Sequence, residues 1–214
     1  MYGGSSNVIG VDGDGVNDAA EGNVISGNNT YGVYFQGASS TNTIAGNKIG
    51  TDVLGSTAQG NTSGGIAFFN DGQAQGNIIG TDSNGVSDVL ERNVISGNSN
   101  YGIVVFGPGT IIAGNYVGVG SDGSTPLGNV QGGISVAASA VQVGRSLSGA
   151  GNVISGNAGF GVAFSSAASS SSAQGNIIGL NAAGNATVPN GSYGIDLFNA
   201  TQVTIGGDQF GAET

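Results

Sequence analysis

The feature that most constrains this chain is a short phrase repeated along it: Gly-Asn, a few residues, then Gly followed by Ile or Val. It runs from Gly27-Asn28 to Gly32-Val33, Gly60-Asn61 to Gly65-Ile66, Gly97-Asn98 to Gly102-Ile103, Gly128-Asn129 to Gly133-Ile134 and Gly156-Asn157 to Gly161-Val162, with a looser copy from Asn190 to Gly194-Ile195. The offset from Asn to Ile or Val is constant, while the distance between copies drifts over roughly 28 to 37 residues. A fixed core with variable spacing describes a stack of similar units joined by loops of unequal length.

Each unit holds three short segments with period-two alternation, the pattern of β-strands. After the phrase, one face carries Val33 and Phe35, Ile66 and Phe68, Ile103 and Val105, Ile134 and Val136, Val162 and Phe164, and Ile195 and Leu197. A second segment contributes one strong apolar residue per unit: Ile9, Ile44, Ile79, Ile112, Val143, Ala173 and Ile205. A third, Asn-x-Ile/Val, supplies Ile25, Ile49, Ile95, Val117, Ile154 and Ile178. Equivalent strands at such spacing, with no helical pattern between them, are best satisfied by pairing in parallel and in register from one coil to the next, at about 4.8 Å per coil. Asn23, Asn47, Asn93, Asn115, Asn152 and Asn176 then share one corner, where stacked amides bond along the axis.

A longer period overlies the first. Asn7 to Glu21 aligns with Asn77 to Glu91 at a shift of 70 residues, so two coils form one larger unit. Insertions accordingly alternate between two corners: Asp12 to Glu21, Thr51 to Gln59, Thr81 to Glu91, Val119 to Leu127, Arg145 to Gly149 and Leu180 to Pro189. The run Ser165 to Ser172 leaves one coil with only Ala173 in its second column, which predicts the softest coil there.

Composition narrows the partners. Charged residues are 7% of the 214, so polarity comes mostly from Asn, Ser, Thr and Gly, and a formal charge of −10 disfavours nucleic acid and anionic membranes. The absence of Cys and His excludes disulfides, thiolate metal sites and imidazole chemistry. Met1 to Ser6 lacks the features of a signal peptide, so an exported protein would be met here as a mature or excised piece, and no apolar run reaches the ~20 residues of a membrane span.

Asn23-Val24-Ile25-Ser26-Gly27-Asn28, the stretch Asn42 to Asp52, and Thr204-Ile205-Gly206-Gly207 resemble the tandem repeats of the pectin-lyase-like superfamily. More narrowly they are similar to the Asn-Val-Ile-Ser-Gly-Asn type found in large exported bacterial surface proteins. The resemblance implies an all-β chain, a right-handed single-stranded parallel β-helix (solenoid) of about six to seven coils with three short strands per coil. It makes residues 1–214 one domain and places it outside the cell or on its surface. No solenoid cap is visible at either end of the sequence, which suggests a fragment of a longer chain or a unit that stacks on itself head to tail or laterally.

Catalytic chemistry finds little support. Glycoside hydrolysis needs two carboxylates at a set separation, and the outward positions Tyr34, Ala67, Val104, Ser135, Ala163 and Asp196 hold one. Lys48 and Arg92 are the only cations placed for a lyase-type role, on what should be adjacent coils of one strand face; surface pairing with Glu91 is the plainer reading. No catalytic residue is therefore assigned. The strongest metal signal is the run Asp12 to Glu21, with Asp12, Asp14 and Asp18, echoed as Asp82 to Glu91, with Asp82, Asn84 and Asp88; such runs suit either calcium or Asx turns with solvated carboxylates. Tyr34, Phe69, Val104, Phe106 and Phe198 form a candidate surface for self-association or ligand binding, and Tyr31, Tyr101, Phe160 and Tyr193 precede the strand-opening glycine at one corner. The expected function is a structural or adhesive module of a surface protein or filament. The alternatives are a carbohydrate-binding or polysaccharide-degrading β-helix and a viral tail-fibre segment.

Overall fold

The computed structural model describes residues 3–69 and 75–207. It is a parallel β-solenoid of about six turns, each turn giving one strand to each of three sheets. Sheet 1 stacks Val8–Gly10, Thr43–Ala45, Ile78–Gly80, Ile111–Ala113, Gln142–Val143, Ser172–Ala173 and Thr204–Ile205. Sheet 2 stacks Val24–Ile25, Lys48–Ile49, Val94–Ile95, Tyr116–Val117, Val153–Ile154 and Ile177–Ile178. Sheet 3 stacks Tyr31–Gln36, Gly64–Phe69, Tyr101–Val105, Gly132–Val136, Phe160–Phe164 and Ile195–Leu197.

The register is the one the repeat requires. Ile44 lies between Ile9 and Ile79, Ile95 between Ile49 and Val117, and Ile103 between Ile66 and Ile134. Side chains of the middle coils are fully buried along all three columns, and they form one continuous core. Phe35 and Phe68 stack inside it with ring centroids 4.6 Å apart. Because each apolar residue packs on its own equivalent a coil away, the core is a set of columns.

Asparagine closes the corners. At the corner before sheet 2, the Oδ1 of Asn93 accepts both the backbone N–H (2.9 Å) and the Nδ2–H (3.1 Å) of Asn47. Its own Nδ2 donates to Ile44 O on the preceding coil and to Asn115 Oδ1 on the next. The pattern continues through Asn152 to Asn176, as the sequence predicts. Two further ladders run beside it. Asn28, Asn61, Asn98, Asn129, Asn157 and Asn190 form one before sheet 3. Asn7, Asn42 and Asn77 form a short one before sheet 1. That third ladder stops where Thr110, Val141 and Ser171 take over the corner. A buried Asn with both amide hydrogens and its oxygen engaged satisfies the requirement that buried polar groups be paired.

Glycine is needed where the chain leaves sheet 1 beneath such a corner. Gly80 has φ of 96°, and a Cβ there would overlap the carbonyl oxygen of Ala113 on the next coil.

The insertions alternate between corners as expected. On every second coil the chain leaves sheet 2 into a small hairpin, closed by antiparallel bridges Thr51 to Ala58, Val119 to Pro126 and Leu180 to Thr187. These hairpins touch one another, with Ser121 N–H donating to Gly55 O and Ala182 N–H to Gly123 O. Val119 and Val188 from them cover Val153 on the outer side of sheet 2, making a small second apolar cluster. The serine of Asn-Val-Ile-Ser ties adjacent coils together: Ser96 Oγ donates to Val119 O (2.7 Å) and accepts from Gly118 N–H (3.0 Å), as Ser26 and Ser155 do at their own coils. Among the described residues, no helix is long and apolar enough to cross a membrane.

Candidate metal centre

The other insertions leave sheet 1, and the two acidic ones are folded almost alike. In the first, Asp14 Oδ1 accepts the Val16 N–H at 2.7 Å, a local turn with Asn17 in the left-handed region at φ 64°. A 3-10 turn, Asp18–Ala20, follows. In the second, Asn84 Oδ1 accepts the Val86 N–H at 2.7 Å, and Ser83 and Ser87 have φ of 64° and 54°. Asp12 Oδ1 likewise accepts the Asp14 N–H at 3.1 Å and Asp82 Oδ1 the Asn84 N–H at 2.9 Å, so two successive residues in each loop fill the turn-forming role of short polar side chains that bond the backbone two residues on.

The turns bring other carboxylates together. One oxygen each from Asp12, Asp18 and Glu21 lies within 4.8 Å of the others, and the same holds for Asp82, Asp88 and Glu91. Of the residues nominated from sequence, Asp12 and Asp18 converge in the first loop and Asp82 and Asp88 in the second; Asp14 does not join its group, and Asn84 Nδ2 donates to Asp82 Oδ2 at 3.0 Å. The third member of each group is the glutamate that ends the acidic run, Glu21 in the first loop and Glu91 in the second. Its signal was available, since Glu21 and Glu91 close the two copies of the 70-residue repeat.

Backbone amides support both groups. Asp12 N–H donates to Glu21 Oε2 and Asp82 N–H to Glu91 Oε2, each at 3.1 Å. Gly15 N–H donates to Asp18 Oδ2 and Gly85 N–H to Asp88 Oδ1, each at 3.2 Å. Asp18 is 3% exposed, yet its Oδ1 has no hydrogen-bond partner. Burial pushes the Glu91 carboxyl above the ordinary range; hydrogen bonds from the Thr81 side chain and the Asp82 amide oppose this, and the charges of Asp82 and Asp88 reinforce it. Every donor in both groups is oxygen, the ligand type that hard divalent cations take.

Two of the three cations of the chain lie near the first group. Lys48 is on sheet 2 and in register with Val94, whereas Arg92 sits at the turn ahead of Asn93, so the two do not share a strand face as expected. Arg92 Nε donates to Gly114 O at 3.0 Å, and its guanidinium lies 4.4 Å from the Tyr116 ring centroid. Both line one shallow recess with Val11, Asp18 and Leu90. Arg145 Nε donates to Gln142 Oε1.

The outer face of sheet 3 carries an aromatic strip. Tyr31 stacks on Tyr34 at 5.6 Å, both rings approach Phe69 at 5.7 Å, and Phe69 stacks on Phe106 at 5.1 Å. Burial, then the neighbouring Tyr34 and Tyr101, push the Tyr31 phenol up. Tyr34 and Phe106 are each 37% exposed, while Val104 between them in the sheet is buried. Phe198 is exposed at the far end of the rod, without a ring contact among the described residues. The corner aromatics divide: Tyr31 belongs to the strip, Tyr101 stacks on Phe160 at 5.7 Å, and Tyr193 is exposed. The outward column of this sheet brings a single carboxylate, Asp196, between Leu197 and Ile195.

No protein-family model matches the chain, and neither a curated protein nor a solved structure matches it.

Proposed function

We propose that this chain is a structural module: a stiff rod in an extracellular surface protein or filament, with an adhesive capacity and the ability to stack end to end. The observation that carries the reading is the axial bonding. Strand ladders in three sheets and asparagine ladders at the corners all run along one direction, so load along the rod is borne by hydrogen bonds at every coil. The outermost strands of sheet 1, Val8–Gly10 and Thr204–Ile205, have a partner on one side only among the described residues. Ile9, Ile25, Ile178 and Ile195 at the two ends are only partly buried against the core. Unpaired strand edges beside apolar surface are templates for a further coil, from a second copy or from continuing chain.

Negative-stain electron microscopy and light scattering over a concentration series test this. Units of about 30 Å, six coil spacings of about 4.8 Å, should add into longer rods as concentration rises. Discrete short particles at the highest concentration reject self-stacking.

A second reading, carbohydrate binding, is favoured by the strip formed by Tyr31, Tyr34, Phe69 and Phe106, because exposed aromatic faces pack well against the apolar faces of sugar rings. Binding on a glycan array that disappears in Tyr34→Ala would support it, and an array without signal would eliminate it.

A further inference from the structure

We propose that each acidic loop is a calcium site, formed by Asp12, Asp18 and Glu21 in the first and by Asp82, Asp88 and Glu91 in the second. The proposal is independent of the structural reading above, since it concerns loops outside the three sheets.

Convergence is the first ground. Calcium binds oxygen at about 2.3–2.6 Å, so two oxygens on one ion are separated by at most about 5 Å. The three carboxylates of each loop already meet that limit. Three like charges so close repel unless something positive lies among them. Neither loop contains a Lys or Arg; Arg92, next in sequence to Glu91, is turned to Gly114 O and the Tyr116 ring, and Lys48 shares with Asp18 only the lining of a shallow recess.

The second ground is independent of the clustering. Asp18 Oδ1 is deeply buried and bonded to nothing, while Oδ2 takes the Gly15 N–H. A buried acceptor without a donor has lost its water and gained nothing in return, the more so when charged, and such an atom calls for a ligand. Asp18 belongs to the convergent group, so a cation held there answers both the repulsion and the missing bond.

The internal repeat adds a third. Between the two loops Gly13 becomes Ser83, Asp14 becomes Asn84, Asn17 becomes Ser87, and Ala19-Ala20 becomes Val89-Leu90. All three convergent acids recur unchanged, together with Gly15 and Val16. Of the two residues in each loop that bond the backbone two positions on, the second tolerates exchange of Asp14 for Asn84, whereas the first, Asp12 or Asp82, which belongs to the convergent group, stays a carboxylate. The corresponding insertion two coils further on, Arg145 to Gly149, has no carboxylate and gives no site.

The oxygen-only donor set excludes soft-metal preferences. Calcium fits an irregular loop better than magnesium, which demands near-octahedral geometry at about 2.0–2.1 Å and parts reluctantly with its water. The sites also touch. A Cβ on Gly13 would lie 2.5 Å from Glu91 Oε1, and Gly46 N–H of the coil between donates to Glu91 O.

Isothermal titration of the whole chain with calcium chloride, after removal of divalent ions with a chelator, tests the assignment. Two equivalents should bind, with a rise in thermal midpoint that saturates with them. Magnesium chloride at the same concentrations should give neither. Asp18→Asn should remove one equivalent and the double variant Asp18→Asn, Asp88→Asn both, while Asp14→Asn and Asp52→Asn keep two. Circular dichroism verifies the β fold of each variant, and Asp12→Asn, at an exposed position, replaces Asp18→Asn if the latter does not fold. Absence of uptake at millimolar calcium, unchanged stoichiometry in the double variant, or equal uptake of magnesium would each overturn it.

Discussion

Asn98 shows what a corner residue does in this rod. Its Oδ1 takes the backbone and side-chain N–H groups of Asn61 at 3.2 and 2.9 Å, and its Nδ2 donates to Ile49 O and Asn129 Oδ1. Asn98→Ala would leave the backbone N–H and one side-chain amide hydrogen of buried Asn61 without partners, each at about 1–3 kcal/mol, while Ile49 O keeps the Ser96 N–H. The expected loss is about 2–4 kcal/mol of unfolding free energy, measured by urea denaturation. Asn28→Ala, at the exposed start of the same ladder, should cost less than about 1 kcal/mol, because water replaces the lost bonds. Equal losses at the two positions would show that the ladder contributes through turn conformation instead of through buried hydrogen bonds.

At the scale of the element, the three hairpins offer a controlled comparison. Asp52 accepts the N–H groups of Ser56 and Thr57 at 2.7 and 3.1 Å, and Asp122 accepts those of Ser124 and Thr125 at 2.9 Å each. In the third hairpin Asn181 Oδ1 does the same for Asn185 and Ala186. The Asp52 carboxyl is held below its ordinary value first by the Ser56 amide, with the Thr57 amide and both hydroxyls adding to it. The Asp122 carboxyl is lowered first by the Thr125 hydroxyl, then by the amides of Thr125 and Ser124. A lowered carboxyl contributes stability above its unfolded value and loses it as pH falls through the folded one. Below about pH 4, amide exchange, corrected for its intrinsic pH dependence, should therefore accelerate at Ser56, Thr57, Ser124 and Thr125. Asn185 and Ala186 should not respond, since an amide does not titrate in that range. A parallel response in all three hairpins would assign the effect to the rod as a whole.

Over the whole molecule, sheet 1 weakens toward the C-terminal coils. Its strands have three residues as far as Ile111–Ala113 and two from Gln142–Val143 onward. Ala173 stands in the column where Ile44, Ile79 and Ile112 stand earlier, and the asparagine ladder beside the sheet ends at Asn77. Less apolar area and fewer axial bonds lower the free energy of local opening. Hydrogen exchange should be fastest, within this sheet's paired strands, at Gln142 and Ser172, and slowest at Ile78 and Ile111. Uniform protection along the sheet would mean that the rod opens as one cooperative unit. The thin place in the column at Ala173 was legible from the serine run alone, because the apolar residue of each coil falls in the same column wherever the loops run.

What the sequence determined by itself is the part of the protein that repeats. In a parallel solenoid the partner of each strand residue is its own equivalent one coil away, so periodicity specifies contacts directly; the three columns and the Asn23 to Asn176 corner follow from it. The Asn28 ladder lay in the very phrase that defines the repeat, but an Asn beside Gly reads equally well as a turn residue until its amide is seen between two coils. What only the tertiary structure decided lies off the repeat. Glu21 and Glu91 converge with the aspartates while Asp14 and Asn84 turn to the backbone, Val104 is buried while Phe106 is exposed, and Arg92 faces Tyr116. No neighbouring coil fixes these side chains by register. Their directions follow from single left-handed residues such as Asn17 and Ser87 and from which loop lies across the next, and such choices leave no periodic trace in a sequence.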